Sequence, residues 1–473
     1  MGRYRTLLSN TLIFTISDFS SKLLVFFMLP IYTRVMTTGD FGVSDLINST
    51  VGLLMPVFTL SIADGALRFA MRPDVEDKQV FTFGMKVIFA GFGILLLAFP
   101  IFLQIGVIKD YLLLFYLTYI TSGMYNFLNQ FARGINKIKL VGICGMLSTF
   151  IVVTLNIVLL FVFRLGVTGY LVSFILSYIT SSVVLFAGGG MYKYLSAKHS
   201  EKRLKTDMLK YSIPLAPNSI SWWLNNTANR YIIATFCGVS QVGLFSAAVR
   251  IPTILTTLQG VFMQAWQLSA ISEYEKQDRD NFYVNVYTSF NLASVFVCSL
   301  LIILTKLIAS LLFSKEFYEA WQYVPLLLVS TMFGALAGFV GIPFSAINKT
   351  KILFVTTLVG GVVSVICNYL LVPFLGPTGA SIASVISYVT IWTLRLIESM
   401  KYIKMVQHPY RDVFCYLLLI IQAVLIMNTE GIGGYAGAIV CCVFMVVINI
   451  NDIHRISINI KKLTVSRYTV FKK

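Results

Sequence analysis

The chain has 473 residues, of which 57% are hydrophobic and only 12% are charged. Soluble globular proteins carry about 25% charged residues, so this composition excludes a chain built mainly of soluble domains. The formal net charge of +17 is typical of basic loops on the cytoplasmic side of a membrane protein. Because Lys and Arg in these loops do not alternate with aromatic residues, the charge does not indicate a nucleic-acid partner.

Apolar runs of roughly 20 residues, the length that crosses a bilayer, recur along the whole chain. They predict an all-α polytopic membrane protein with about 14 transmembrane helices. The first six predicted spans are Asn10–Arg34, Asp40–Ile62, Gln79–Leu103, Tyr111–Ala132, Leu140–Phe163 and Val167–Met191. The second six are Ser212–Phe236, Gln241–Met263, Val284–Leu304, Trp321–Ala346, Ile352–Leu375 and Thr378–Glu398. The last two, which are weaker, are Asp412–Asn428 and Gly433–Ile450.

One long stretch of sequence occurs twice. It begins INKIKLVG at Ile135 and INKTKILF at Ile347, continues as an apolar span, and ends in LGVTGYLVSFILSYIT and LGPTGASIASVISYVT. Duplication on this scale predicts two similar six-helix halves. An even number of spans separates the two INK loops, so the halves are parallel repeats rather than inverted ones. A weaker echo links TTGDFGVSDL around Gly42 to GVSQVGLFSA around Gly243.

The repeats divide the chain into four predicted parts. Residues 1–191 form an N-terminal six-helix bundle, 192–211 a basic cytoplasmic linker, and 212–400 a C-terminal six-helix bundle, while 401–473 hold two additional helices and a basic tail. With the N-terminus inside, most of the 37 Lys and Arg residues fall in inner segments, Arg395 among them. This asymmetry predicts that both termini are cytoplasmic.

Ionisable side chains in the middle of the spans are the first candidates for a transport site. A charge at mid-bilayer costs roughly 2.5–3.5 kcal/mol on insertion scales, so it normally faces a cavity or a partner. Lys22 lies near the midplane of the first span, and Asp18 lies four residues earlier on the same helix face. One interpretation is a mutually neutralised pair between helices. The other, favoured by Ser17, Ser20 and Ser21, is a pair that lines a cavity.

Two arginines of the second half have the same character. Arg250 lies near the midplane of the eighth span and has no acidic residue within a turn on its own helix. Its guanidinium stays charged and offers a fork of donors suited to phosphate oxygens, so we interpret it as a cavity residue, with a buried ion pair as the alternative. Arg230 lies toward the outer end of the seventh span, where a cavity role and snorkelling to the interface explain it equally well.

The seventh span also carries an unusual number of amides, in the run NSISWWLNNTANR. Its asparagines recur at helical spacings, with two tryptophans between them: Asn218, Asn225, Asn226 and Asn229, with Trp222 and Trp223. Amides and aromatic faces suit the hydroxyls and ring faces of sugars. Hydrogen bonding between helices is the alternative.

Arg68 and Arg72 follow the second span, with Asp64 nearby. They form a candidate inner-face gate for an anion, and a solvated loop explains them equally well.

No nucleotide-binding loop, catalytic triad or metal-ligand cluster is visible, so the sequence predicts no enzyme, no catalytic residue, no metal site and no cofactor. Coupling to an H⁺ or Na⁺ gradient stays open.

Several segments together resemble a known family. The run LPIYTRVMTTGDFGVSDLINSTVGLL from Leu29 resembles the N-terminal signature of Wzx-type polysaccharide flippases, which belong to the MATE-like superfamily of multidrug, oligosaccharidyl-lipid and polysaccharide exporters. PLAPNSISWWLNNTANRYII from Pro214, VGLFSAAVRIPTIL from Val242 and the LGPTGASIAS turn are also similar to that family. The resemblance covers the whole chain.

The resemblance implies a flippase that moves undecaprenyl-diphosphate-linked oligosaccharide from the cytoplasmic to the outer leaflet of a bacterial inner membrane by alternating access. It implies a role in O-antigen, capsule or exopolysaccharide synthesis, beside other assembly proteins. It also implies a cationic cavity in which Lys22, Arg250 and Arg230 contact the headgroup. Similar sequences often have an acidic residue where this chain has Asn229, so the resemblance gives no support to an ion pair or proton coupling at that position.

Two other functions stay open at this point. A cation-coupled multidrug exporter of the MATE type is expected to expose carboxylates at mid-depth, whereas the deep charges here are mainly basic and Asp18 is the only deep acid. An oligosaccharide polymerase, an enzyme of the same pathway, is expected to have a large outer catalytic loop, and the predicted spans leave none. The sign of the buried charge therefore favours the flippase.

Overall fold

The structure is a computed structural model that describes residues 28–195, 201–275, 282–346, 349–402, 405–429 and 431–455. Within these ranges the chain is almost entirely helical. Eight of the described helices are long and apolar enough to cross a membrane, or nine if one bent pair counts as a single span. The prediction of an all-α polytopic membrane protein is confirmed.

The described chain forms two compact units. Unit 1 holds the described residues up to Ala247 and a returning segment, Leu311–Tyr318. Its first helices are α1 (Leu29–Val35), α2 (Thr38–Thr59), α3 (Ile62–Ala70), α4 (Asp77–Leu97), α5 (Phe99–Phe102), α6 (Gly106–Lys109) and α7 (Leu112–Gly134). The next are α8 (Ile138–Asn156), α9 (Gly166–Gly188), α10 (Lys202–Ser212), α11 (Leu215–Asn226), α12 (Ala228–Cys237) and α13 (Val239–Ala248).

Unit 2 holds Ala248–Ser310 and the described residues from Glu319 onward. Its helices are α14 (Pro252–Glu275), α15 (Phe282–Ile303), α16 (Thr305–Leu312), α17 (Val324–Ala346), α18 (Thr350–Ser399), α19 (Pro409–Asn428) and α20 (Ile432–Ile448). The last two residues of α16, Leu311 and Leu312, fall in the segment that belongs to unit 1.

Rings fill the core of each unit. In unit 1, Phe81 is fully buried and its ring centre lies 4.9 Å from that of Phe131 and 5.7 Å from that of Phe127. In unit 2, the Phe339 ring stacks on Trp266 with centres 4.3 Å apart and planes 6° from parallel. Such ring pairs join helices from distant parts of the sequence, because α4 meets α7 in the first case and α14 meets α17 in the second.

The duplicated stretch has the same local structure in both copies. Gly166 and Gly376, the glycines of the two LG turns, have positive φ angles of 50° and 57°. Ser177 Oγ donates to the carbonyl of Ser148 at 2.9 Å, and Ser387 Oγ, its counterpart in the second copy, donates to the carbonyl of Gly360 at 2.9 Å. The repeat seen in the sequence is therefore a repeat of structure.

The predicted spans from the second onward each fall on a described helix or pair of helices. The first, Asn10–Arg34, lies largely outside the described residues. Two differences concern breaks: the seventh span is interrupted at Thr227 and the eighth at residues 249–251. The eleventh and twelfth spans are the two arms of α18, and they meet at Gly376, in the predicted LG turn. The predicted division into two six-helix bundles with two added helices stays a prediction.

Candidate functional site

Two glycines mark the crossing of α2 and α13. A Cβ atom built on Gly42 would lie 2.2 Å from the carbonyl oxygen of Val239, and one built on Gly243 would lie 1.9 Å from that of Thr38. Real Cβ atoms essentially never come within 3.0 Å, so both positions require glycine. The two glycines are equivalent residues in the weaker sequence echo, and their contacts mirror each other.

One turn along α2 from this crossing, the Asp45 carboxylate receives two donors. Arg230 Nε on α12 donates to Asp45 Oδ2 in an ion pair, and Ser246 Oγ on α13 donates to the same oxygen at 2.7 Å. Only 11% of the Arg230 side chain and 14% of the Asp45 side chain are exposed. Arg230 Nη1 also donates to the carbonyl of Asn226 at 2.7 Å. The charge of Arg230 is therefore compensated inside unit 1.

Two aromatic residues hold α2 against the broken seventh span. Trp223 Nε1 donates to the carbonyl of Ser49 at 2.9 Å, and the Tyr231 hydroxyl lies 2.5 Å from Thr50 Oγ1. The ring centres of Trp223 and Tyr231 are 5.5 Å apart. Trp223 and Tyr231 thus lie on the side of the seventh span that faces α2. Of the two tryptophans in this run, the one predicted to contact the substrate is Trp222.

The four residues predicted to contact sugars flank the break at Thr227. Asn225 is buried and Asn226 is exposed, and each side-chain amide donates to a carbonyl one turn earlier, at 2.7 and 2.8 Å. Trp222 is 40% exposed. Asn229 is buried, and its Oδ1 has no hydrogen-bond partner among the described residues. That oxygen is an unsatisfied acceptor enclosed by the protein, and sugar contact stays a prediction for all four residues.

Arg250 lies in the turn between α13 and α14, whose axes are bent by 42°. Pro252 begins α14, and proline supplies no backbone N–H to continue a helix from the preceding turn. The Arg250 side chain is half-buried and, within the part of the chain that the structure describes, makes no hydrogen bond or ion pair. Arginine keeps its charge in proteins, so a cation without a described counter-ion lies at this break.

Asp18 and Lys22 lie outside the described residues, and their cavity role stays a prediction.

The candidate gate residues, Arg68 and Arg72, are described and have local partners. The Arg68 guanidinium lies 4.3 Å from the centre of the Tyr211 ring, and Arg72 donates to both carboxylate oxygens of Asp74 at 3.1 and 2.6 Å. The hydrogen bonds from Arg72 lower the pKa of Asp74. Their role as a gate stays a prediction.

Sequence reasoning missed a buried cation in unit 2. The charge count assigned Arg395 to an inner loop, which is wrong, because Arg395 lies within α18 and is only 3% exposed. Its guanidinium donates to Thr356 Oγ1 at 3.1 Å, to Thr357 Oγ1 at 2.8 Å and to the carbonyl of Ala337 at 2.8 Å. The sequence contained one indication of this burial, because Arg395 lies inside the twelfth predicted span and not in the segment that follows it.

Comparisons with known proteins agree with this architecture. A family model described as "Polysaccharide biosynthesis protein" matches residues 7–267. An uncharacterized membrane protein of Methanocaldococcus jannaschii is 23% identical over 294 residues, which are 58% of this chain and 68% of that protein.

Two solved structures have a similar fold. The lipid II flippase MurJ in an inward closed conformation is 14% identical with a TM-score of 0.69, and the match covers 94% of this chain and 100% of that one. An inward-facing multidrug resistance MATE family transporter of the MOP superfamily is 14% identical with a TM-score of 0.62, covering 80% of this chain and 98% of that one. These similarities show the fold and confirm the predicted MATE-like architecture. Because the family match spans more than half of the 473 residues, the chain belongs to the family of polysaccharide biosynthesis proteins.

Proposed function

We propose that this protein is a flippase for undecaprenyl-diphosphate-linked oligosaccharides. It moves them by alternating access from the cytoplasmic to the outer leaflet of a bacterial inner membrane, with both of its termini in the cytoplasm. The oligosaccharides are the repeat units of a surface polysaccharide such as O-antigen, capsule or exopolysaccharide, and other assembly proteins act beside it. Family membership supports the pathway, and the fold supports transport rather than catalysis.

The observation that carries this proposal is the state of Arg250. A diphosphate is anionic and crosses a hydrocarbon layer only if its charge is compensated. The Arg250 guanidinium is a half-buried cation with no described counter-ion, and it lies at a bend in a predicted span. Guanidinium donors form paired hydrogen bonds with phosphate oxygens, so Arg250 is suited to hold the diphosphate.

A separate feature of unit 1 supports recognition of the sugar. The buried Asn229 Oδ1 accepts no hydrogen bond from a described residue. Burying an acceptor without a donor costs about 1–3 kcal/mol, and a sugar hydroxyl is a donor that would remove this cost.

Helix breaks support the alternating-access part of the proposal. The bend at residues 249–251 and the interruption at Thr227 each lie within a predicted span, and the kink at Gly376 lies between the eleventh and twelfth predicted spans. Residues at helix ends absorb the backbone rotations that domain motions require. These breaks are therefore the positions at which we expect the helices to change direction during transport.

The alternative of a cation-coupled multidrug exporter requires a carboxylate open to a cation. The Asp45 carboxylate already accepts from Arg230 and Ser246, and Asp18 lies outside the described residues. Deleting the gene separates the two functions. Loss of surface polysaccharide with unchanged drug sensitivity supports the flippase, and the reverse result supports the exporter.

The direct test is movement of a fluorescent undecaprenyl-diphosphate oligosaccharide across proteoliposomes. We expect the wild type to move it and Arg250→Ala to reduce the rate by about tenfold or more, as loss of a charge-assisted contact predicts. Arg250→Lys should retain part of the activity, because it keeps the charge but loses the donor fork. The matched control is Arg34→Ala, which removes an exposed arginine of α1 and should transport like the wild type.

Each outcome of this test has a defined meaning. No movement by the wild type would overturn the flippase proposal and direct the next assay to cationic drugs under an H⁺ or Na⁺ gradient. Movement that is equally fast in wild type and Arg250→Ala would keep the flippase and remove Arg250 from the substrate site.

A further inference from the structure

A groove lies between the two arms of α18, residues 350–375 and 377–399. The arms fold back on each other at Gly376, as shown by the hydrogen bond from Ser387 Oγ to the carbonyl of Gly360 at 2.9 Å. At their open end, Lys349 Nζ donates to the Tyr402 hydroxyl at 2.8 Å. The groove has a volume of about 750 Å³, within the roughly 300–1,000 Å³ usual for ligand sites.

The groove is amphipathic. Its walls include Val355, Val359 and Ile397, whose side chains are 43%, 37% and 48% exposed. Lys349 and Lys351 lie at its open end. An apolar trough with ammonium groups at one end matches a molecule that has a hydrocarbon chain and an anionic head.

The charges around the groove are predominantly positive. Among the described residues, no carboxylate forms an ion pair with Lys349 or Lys351. The acid that lines the groove, Glu398, is paired with Lys401 at 2.7 Å. Lys349 uses one of its three N–H donors on Tyr402, so two remain for a ligand.

A third positive charge lies behind the groove wall. Thr356 lines the groove and accepts a hydrogen bond from Arg395 Nε at 3.1 Å. The Arg395 guanidinium donates only to neutral oxygens among the described residues, and within these ranges it forms no ion pair. Its charge therefore adds to the potential that Lys349 and Lys351 create at the mouth.

The first copy of the repeat provides an internal comparison. Alignment of the two copies places Leu185 at the position of Arg395 and Cys144 at the position of Thr356. Leu185 and Cys144 are fully buried in one hydrophobic cluster. The two helices of the first copy therefore pack together without an arginine at this position. Packing alone does not explain why the second copy has Arg395.

We propose that the groove is a binding site for an anionic phospholipid, with the phosphate held by Lys349 and Lys351 and one acyl chain along Val355, Val359 and Ile397. Basic pockets between membrane helices recognise anionic headgroups in this way. The site is independent of the proposed flippase activity, because it requires only that the chain lie in a membrane.

The test measures lipid retention by the purified full-length protein in non-ionic detergent, using native mass spectrometry with phosphatidylglycerol or phosphatidylcholine added. We expect the wild type to retain phosphatidylglycerol in preference. The double variant Lys349→Gln/Lys351→Gln should bind it about tenfold more weakly, since each basic residue near a headgroup contributes to the attraction. The matched control, Lys139→Gln, removes the exposed lysine at the position of Lys351 in the first copy and should bind like the wild type.

A second variant tests the charge behind the wall. Arg395→Leu installs the residue of the first copy and should weaken phosphatidylglycerol binding while leaving the thermal unfolding midpoint within a few degrees of the wild type. Equal retention of both lipids by the wild type would overturn the proposal. So would unchanged phosphatidylglycerol affinity in the double lysine variant, or preferential retention of a polyprenyl diphosphate in the same groove.

Discussion

The Asp45 carboxylate joins two other helices, because Arg230 on α12 and Ser246 on α13 both donate to it. Removing one member of a buried ion pair leaves the other charge unpaired, which is more costly than losing the attraction alone. Arg230 therefore holds α12 against α2, and a phosphate that reached Arg230 would have to compete with Asp45. Arg250, which has no described partner, faces no such competition.

We predict that Asp45→Asn lowers the free energy of unfolding by roughly 3 kcal/mol, because it leaves the Arg230 guanidinium without its counter-ion. Chemical unfolding of the purified protein in detergent measures this change. Asp110→Asn, which alters an exposed acid, is the control. In a double-mutant cycle with Arg230→Gln, strictly additive effects would contradict the coupling.

Sequence reasoning at this scale finds charges but not their partners. Arg230 and Arg250 are visible because guanidinium groups are rare in apolar spans. The partner of Arg230 lies 185 positions away, at Asp45, and only the folded chain brings the two together. The burial of Arg395 depends on the approach of α17 and the first arm of α18, which no local pattern encodes.

At their crossing, α2 and α13 approach closely because the facing residues, Gly42 and Gly243, have no side chains. Gly42 and Gly243 each rest against a carbonyl oxygen of the opposite helix. We predict that Gly42→Ala destabilises the protein by roughly 1–3 kcal/mol, because the helices must separate to admit the methyl group. Thermal unfolding measures the effect. Gly52→Ala on the same helix meets nothing within 4 Å and should be neutral, and equal losses in both variants would contradict the close crossing.

The kink of α18 depends on the conformation of Gly376, with φ 57° and ψ −144°. Residues with a side chain are strained in this region, so we predict that Gly376→Ala costs about 1–3 kcal/mol of stability. Its control is Gly260→Ala, in α14, where a Cβ atom meets nothing within 4 Å. If both variants unfold at the same temperature, the kink does not depend on glycine.

Most helices could be predicted from apolar run length, and the LG turn correctly marked the kink of α18. The interruption at Thr227 could not, because no proline or glycine marks it, whereas Pro252 is a local signal for the bend at residues 249–251. At Thr227, bonds from Trp223 and Tyr231 to α2 accompany the interruption. Such interactions between helices decide where a long apolar segment bends.

Across the whole molecule, the basic bias of the loops predicts which membrane face each loop occupies. We expect a membrane-impermeant maleimide to label Arg164→Cys in intact cells and Lys193→Cys only after permeabilisation. Both side chains are exposed. The wild type, whose seven cysteines all lie in apolar runs, gives the background. Labelling of Lys193→Cys in intact cells would place the linker outside and contradict cytoplasmic termini.

Sequence patterns did not predict how the described chain divides into two compact units. Unit 1 includes the seventh predicted span and the segment Leu311–Tyr318. That segment is tied to α1 and α2 by a hydrogen bond from Thr33 Oγ1 to the carbonyl of Leu312 at 3.1 Å and by packing of Phe317 on Phe41. The repeat describes how the chain is duplicated, whereas these contacts between distant segments determine which parts pack together.

The glycine crossing also has a consequence for genetics. A side chain introduced at Gly42 or Gly243 meets a main-chain oxygen of Val239 or Thr38, and every amino acid carries that oxygen. No substitution at Val239 or Thr38 can therefore restore the lost space. A suppressor screen on Gly42→Ala should return reversion to glycine, and changes elsewhere that raise overall stability, but no compensating allele at the facing residue.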